Sequence, residues 1–196
     1  MTAAPLARPL ILTPRLMLSA SQPALADAVA DFHRRNRAHF APWDPPTPER
    51  FFTPGFQLER LRQAAEAFTA NTAYRWWLLP REAPQQVIGS VHVSQIARGA
   101  FQSAMLGYAL DEQAQGQGLM HEALQAAIAE VFGHGVNLHR LQANHRPENL
   151  RSAAVLARLG FQVEGLAPNY LYIDGAWRDH VLTALLNPAF RRPADW

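Results

Sequence analysis

The sequence predicts an α/β protein, a mixed and mostly antiparallel central sheet flanked by helices, and three observations carry that reading. Apolar residues change period along the chain, from two in stretches such as 74–79 and 87–96 to three or four in 55–69. An apolar run at 106–110 meets a polar turn bearing Gly116 and Gly118. Beyond that turn Leu119, Ala123, Ala126, Ala127 and Val131 recur at helical spacing. Asp174-Gly175, set between two strand-like runs, is a two-residue hairpin turn.

The elements follow in order. Residues 10–19 alternate around Pro14 and read as a first strand behind a loose proline-bearing tail. Ser21 looks like a helix cap with Pro23 in the first turn, and Leu25, Val29 and Phe32 give that helix one apolar face ending near Arg37. Prolines 42, 45, 46 and 48 forbid a continuous element, so Phe40 and Trp43 sit on a stiffened loop, as a substrate wall or as an aromatic plug over the core. A second helix is expected over 55–69, with Phe56, Leu58, Leu61, Ala65 and Phe68 inside. A hairpin over 74–79 and 87–96 and a further strand at 104–110 lead into the central turn. After the central helix come a strand over 138–144, a helix from Asn149 to Leu159 closed by Gly160, and the terminal hairpin of 170–173 with 177–186. One domain over 10–187, with tails at 1–9 and 188–196, is the expectation for 196 residues of which 48% are hydrophobic.

Composition excludes several chemistries. With no cysteine there is no disulfide framework, thiolate nucleophile or thiolate metal site, and with no lysine there is no Schiff-base chemistry. The formal charge is only +2, and the one basic cluster, Arg34, Arg35 and Arg37, reads as a solvated helix end or an RNA-contacting patch. The N-terminal residues lack the pattern of a secretory signal and no span is long enough to cross a membrane, so a cytoplasmic location is expected.

The central turn is an anion-binding strand-turn-helix, in which glycines let a phosphate reach the free amides of a helix start. The dinucleotide fingerprint needs a third glycine where His121 stands, and the P-loop needs a lysine. The run Gln115-Gly116-Gln117-Gly118-Leu119-Met120 resembles instead the pyrophosphate loop of the GCN5-related N-acetyltransferases, Gln/Arg-x-x-Gly-x-Gly/Ala, with Met120 in place of the small residue. A second register, 113–118, matches literally but starts the helix too early for the apolar spacing. Asn149-Leu-Arg-Ser152 through Leu159-Gly160-Phe161 resembles that family's second cofactor motif. Together with Asn36-Arg-Ala-His39-Phe-Ala-Pro-Trp43 and Asp174-Gly-Ala-Trp-Arg-Asp-His-Val-Leu-Thr-Ala-Leu185, these motifs are similar to those of the RimJ-like branch, which acetylates the N-terminal alanine of a ribosomal protein.

The resemblance implies the family fold, with the loop between the fourth strand and the central helix, and acetyl-CoA as cofactor. Its pantetheine arm would lie along Tyr108, Ala109 and Leu110, and its pyrophosphate on Gln115, Gly116, Gln117, Gly118, Leu119 and Met120. Asn149 and Ser152 would also contact it, and the N–H of Ala109 or Leu110 would hold the oxyanion. Without cysteine, direct attack in a ternary complex is expected. The family's tyrosine acid and glutamate base fall here on Leu156 and Leu171, leaving Ser152, with Tyr170 and Tyr172 behind it, to protonate the departing thiolate; hydrogen bonding to pantetheine or the helix backbone is the plain alternative for Ser152. His92 and His145 are placed near the cleft as proton relays or structural histidines, and no metal site is expected because His134, His139 and His145 lie on different elements.

By that resemblance the acceptor is expected to be the α-amine of an N-terminal Ala or Ser, that of a ribosomal protein. A small-molecule amine, or a weakly catalytic coenzyme-A-binding or ribosome-associated module, are the alternatives; neither membrane nor direct DNA binding is expected.

Overall fold

A computed structural model describes residues 6–193. One sheet organises them, with strands in the order β1-β2-β3-β4-β5-β6-β8-β7. These are β1 (Leu10–Leu12), β2 (Leu16–Ala20), β3 (Tyr74–Pro80), β4 (Gly89–Ala97), β5 (Ser103–Leu110), β6 (Arg140–His145), β7 (Gln162–Ile173) and β8 (Ala176–Leu186). All neighbours run antiparallel except β5 and β6. The helices are α1 (Ala26–Arg35), α2 (Arg37–Phe40), α3 (Pro54–Thr69), α4 (Leu119–Phe132) and α5 (Leu150–Arg158). Among the described residues no helix is long and apolar enough to cross a membrane.

Alternation along the strands sends side chains into two cores. From β3, Tyr74, Trp76 and Leu78 face α4 and join Leu119, Ala123, Leu124, Ala127 and Val131, while Trp77 and Leu79 face Val29 and Phe32 of α1 and Leu61 of α3. Leu124 is fully buried, which is worth on the order of 1.5–3 kcal/mol. α3 starts where Thr53 Oγ1 accepts the Phe56 N–H at 3.4 Å and Pro54 occupies the first turn. Its buried face differs from the expected one. Leu61 and Phe68 are buried, but Phe56, Leu58 and Ala65 are only partly so, and Gln57 is fully buried instead.

Three further expectations change. The single strand over 10–19 is a hairpin, because the chain turns at 13–15 and Leu10, Ile11 and Leu12 pair back onto Ser19, Leu18 and Met17. The strand entering the central turn is consequently the fifth. Ser21 caps no helix: its Oγ accepts the Trp77 indole N–H at 3.1 Å, and the helix opens as a 3-10 turn, Pro23–Leu25, with Gln22 at its cap position. The loose tail expected over 1–9 is, from residue 6 onward, packed. Ala7 is buried, Arg8 Nε donates to Glu130 Oε2 at 2.6 Å, and the Arg8 carbonyl accepts the Trp76 indole N–H at 2.9 Å. Residues 1–5 and 194–196 of the expected tails lie outside the described residues.

Candidate active site

The site begins where two parallel strands part. β5 and β6 pair only through Ser103–Arg140, Ala104–Leu141 and Met105–Gln142, after which β6 continues along β8 and β5 runs on to Leu110. The Gln102 carbonyl accepts from His139 and Arg140 amides on the β6 side, whereas the Asp111 N–H donates to the Ile88 carbonyl on the β4 side. Backbone groups alternate sides along a strand, so the N–H groups of Tyr108 and Leu110 point into the opening and that of Ala109 points to β4. A cavity of about 1020 Å³ fills the opening, lined by Gly107, Tyr108, Ala109 and Leu110 on one side and Asn144, His145, Asn149 and Ser152 on the other.

At its far end lies the glycine turn. Asp111 Oδ1 accepts the Gln113 N–H at 3.1 Å and opens a 3-10 turn over Glu112–Ala114. Gly116 and Gly118 then both adopt φ +76°, a left-handed conformation that costs other residues about 1–2 kcal/mol. A Cβ on Gly116 would meet nothing within 4 Å, and on Gly118 only Arg15 Nη2 at 3.7 Å, so the turn is bare on this side. Helix α4 starts at Leu119 with Gly118 as its cap, as the apolar spacing requires. Its first 5→1 bond runs from the Glu122 N–H to the Gly118 carbonyl at 3.1 Å, which leaves the amides of Leu119, Met120 and His121 ahead of it. Free amides, the positive helix end and bare glycines together suit a pyrophosphate. Gln115, Gly116, Gly118, Leu119 and Met120 line the cavity, and the Gln117 carbonyl accepts from Arg15 Nη1 at 2.8 Å. Met120, where the family has a small residue, is 6% exposed and packs in the main core.

The turn is braced from the first hairpin. Glu122 accepts from Thr13 Oγ1 at 2.6 Å, the Arg15 amide at 2.9 Å and Arg15 Nε at 2.7 Å. Burial pushes the Glu122 carboxyl up, but these hydrogen bonds outweigh it and hold it below the usual carboxylate range.

Across the opening, Asn149 Oδ1 caps α5 by accepting the Ser152 N–H at 3.1 Å. That fixes Ser152 Oγ 2.6 Å from the Tyr108 hydroxyl. Burial drives the Tyr108 phenol up to about 12, against a smaller downward pull from Ser152, so it stays protonated at neutral pH. Tyr170, expected behind Ser152, also lines the cavity; its hydroxyl accepts from Asn144 Nδ2 at 3.0 Å and its ring meets His180 at 5.2 Å. Tyr172 packs edge-on against Trp177 at the hairpin and does not line the cavity. Leu156 is buried core, and Leu171 lines the cleft.

The remaining wall comes from α2 and the proline loop, which contribute His39, Phe40, Trp43 and Asp44. The Pro42 carbonyl accepts from Arg146 Nη1 at 2.5 Å while the Arg146 guanidinium lies 5.5 Å from the Trp43 ring centre, so the loop is tied to the end of β6. Gln115 Nε2 donates to His39 Nε2 at 2.9 Å and ties α2 to the glycine turn. Asp44 meets solvent at the rim, yet the protein around its carboxyl desolvates it enough to push it up to about 6. Glu148, the other carboxylate of the lining, sits 3.4 Å from Arg146 Nε. His92 accepts at Nδ1 from Arg75 Nη2 at 2.8 Å; burial first, then the charges of Arg75 and Arg60, push its imidazole down to about 3. His145 donates its Nδ1 proton to the Arg146 carbonyl at 2.8 Å.

Asp44, His39 and Arg146 were not singled out from the sequence as site residues; the proline loop with Trp43 was the available signal, and it gave no partner. The arginine cluster is taken up by carboxylates. Arg35 bridges Asp31 and Asp111, Arg34 lies 3.7 Å from Asp31, and Arg37 pairs with Glu49 at 2.9 Å. Among the described residues no three His, Asp or Glu side chains are grouped to hold a metal.

Known proteins resemble this chain over nearly its whole length. Residues 15–162 match the family model described as an acetyltransferase (GNAT) domain. The chain is 39% identical over 184 residues to the [ribosomal protein uS5]-alanine N-acetyltransferase of Escherichia coli (strain K12), covering 94% of this chain and 91% of that protein. The crystal structure of a ribosomal-protein-S5-alanine acetyltransferase from Vibrio fischeri superposes with a TM-score of 0.89 at 37% identity, over 93% of this chain and 99% of that one. Mycobacterium smegmatis RimJ, solved in complex with CoA-disulfide, superposes with a TM-score of 0.84 at 27% identity, over 97% of this chain and 93% of that one.

Proposed function

The chain belongs to the GNAT family of acetyl-CoA-dependent N-acetyltransferases, and from that premise we propose that its acceptor is the α-amine of a protein N-terminus beginning with Ala or Ser, that of a ribosomal protein. Two groups at the opening carry this reading, and both are weak bases. His92 stays neutral down to about 3 and Asp44 is a carboxylate of about 6, with no lysine or cysteine in the chain. An α-amine of pKa ~8 is neutral in about a tenth of molecules at pH 7 and needs little more, whereas a lysine amine near ~10.4 needs a strong base. The Escherichia coli relative is, by its name, an alanine N-acetyltransferase of ribosomal protein uS5, which points the same way. Work on a ribosomal protein would take place in the cytoplasm.

In this reading the bound co-substrate supplies a thioester whose acetyl group the amine attacks directly. The N–H of Leu110, on the opening side of β5, receives the oxygen that gains charge, with the N–H of Tyr108 two residues back holding the pantetheine arm. The backbone of Gln115 to Met120 receives the pyrophosphate, and Asn149 keeps α5 in place. Ser152 Oγ, 2.6 Å from a protonated Tyr108, passes a proton to the departing sulfur and is resupplied by the phenol; the amine sheds its proton to water in the opening, and the phenol regains one from water. Asp44 draws the ammonium form of the acceptor to the mouth, and Tyr170 orders that wall through Asn144.

The test is intact-mass analysis of short peptides beginning with Ala, Ser or Met, each incubated with protein and acetyl-CoA. A gain of one acetyl group on the Ala and Ser peptides is expected. No gain on any peptide, with acetyl-CoA still bound, would refute the acceptor assignment.

A further inference from the structure

A second cavity, of about 230 Å³, lies on the α1/α3 side of the sheet and shares His92 with the opening between β5 and β6. Arg60, Arg75, Gln57, Ser21 and Trp77 line it. Both guanidinium groups are largely withdrawn from water, and their partners among the described residues are neutral. Arg60 donates to Gln57 Oε1 at 3.0 Å and lies over the Phe51 ring; Arg75 donates to His92 Nδ1 at 2.8 Å and lies over Trp77. The chain's other sheltered arginines are matched differently: Arg35 meets Asp111, Arg140 meets Glu164 and Arg146 meets Glu148. Two neighbouring cations without a carboxylate repel each other, and burial push and mutual repulsion bring Arg75 down to about 10. The buried Nε2 of His33, close enough for both arginines to depress its titration, has no hydrogen-bond partner. Such a cluster is stabilised by one anion accepting several charge-assisted hydrogen bonds.

The strand register says how far this cluster is from the chemistry. Arg75 pairs directly with His92, and His92 pairs directly with Gly107, so the three form one row on the same face of the sheet. A Cβ on Gly107 would meet nothing within 4 Å, so the row ends in open space on the wall of the cleft. Two strand spacings separate Gly107 from Arg75, roughly 10 Å, which an extended peptide covers in about three residues.

We propose that the Arg60–Arg75 cavity is an anion subsite for the acceptor, taking a carboxylate side chain that lies two to four residues behind the acetylated α-amine. The proposal rests on the N-terminal reading of the acceptor given above. It makes the enzyme selective for an acidic residue near the start of its substrate, with Asp44 at the mouth for the ammonium and the arginine pair inside for the carboxylate.

The test compares peptides that begin with Ala and carry one glutamate, moved from the second to the sixth position, with their glutamine twins. Glutamate at the third, fourth or fifth position should lower KM by about tenfold, the size of one charge-assisted hydrogen bond gained. Arg60→Gln, and separately Arg75→Gln, should abolish the preference while leaving kcat for the glutamine peptides unchanged; Arg60 is the more accessible of the two and guards against a folding failure at Arg75. Equal KM for glutamate and glutamine peptides, or a preference that survives both substitutions, would overturn the subsite while leaving N-terminal acetylation intact. Inorganic phosphate that inhibits the wild type but neither arginine variant, with no glutamate preference, would assign the cavity to a free anion and equally overturn it. If no peptide is acetylated, the acceptor reading itself fails and the subsite with it.

Discussion

The Tyr108 hydroxyl and Ser152 Oγ, 44 positions apart in the chain, lie 2.6 Å from each other across the gap between β5 and α5. The contact joins the strand that runs into the glycine turn to the helix on the other side of the cleft. If it carries a proton to the leaving sulfur, Tyr108→Phe should lower kcat by roughly 10²-fold, within the range for general acid catalysis, with little change in KM for acetyl-CoA. Ser152→Ala should cost about as much, and the double variant no more than either alone, because the pair acts as a unit. Steady-state kinetics on the three variants check this; additive losses would assign the two hydroxyls separate roles.

Gly118 combines a left-handed φ of +76° with the cap position of α4. Gly118→Val adds a branched side chain where the turn is bare and forces a disfavoured conformation costing about 1–2 kcal/mol. Calorimetric titration should show acetyl-CoA binding weakened at least tenfold, while Gly175→Ala, at a hairpin tip far along the chain, should leave it unchanged.

Glu122 links the glycine turn to the first hairpin through Thr13 and Arg15. Its carboxyl is held below its ordinary value of 4.5, so its contribution to stability is complete above that value and lost as pH falls through the lower folded value. Glu122→Gln should therefore destabilise the protein by about 1–2 kcal/mol at pH 7. The gap to the wild type should close in acid, as read from urea denaturation at both pH values.

Two groups of the cleft make opposite claims on the pH profile. His92 is already neutral above about 3, so kcat/KM should show no limb near 6.5 from this residue and should rise mainly with deprotonation of the acceptor amine near ~8. Asp44 titrates at about 6, raised from its ordinary value of 3.8. Its proton is held more tightly in the folded chain, so this site favours folding in acid and loses that contribution as pH rises through about 6. Asp44→Asn should raise KM for the peptide above that pH and leave it unchanged below, where the wild-type carboxyl is neutral too.

Much of this arrangement is legible in the chain. The helical spacing of Leu119, Ala123, Ala127 and Val131 places the start of α4 correctly, because a long amphipathic run against a sheet leaves little freedom in phase. The capping position of Asn149 is readable for a similar local reason. What is not legible depends on register. Nothing in the sequence pairs Arg75 with His92 and His92 with Gly107, and nothing local sets Tyr108 against Ser152. Ser21 misleads because a hydroxyl before a proline has the signature of a cap, yet a buried indole N–H claims it. The first hairpin was hidden because three residues, Leu10 to Leu12, are too short to show a period of their own.

The central claim, transfer to an α-amine, is tested most directly by one peptide in two forms. Each carries an internal lysine; one has a free N-terminal alanine and the other has that amine formylated. Tandem mass spectrometry after incubation with acetyl-CoA should find one acetyl group on the alanine nitrogen of the first and none on the second. Acetyl on the lysine of both forms would contradict the account.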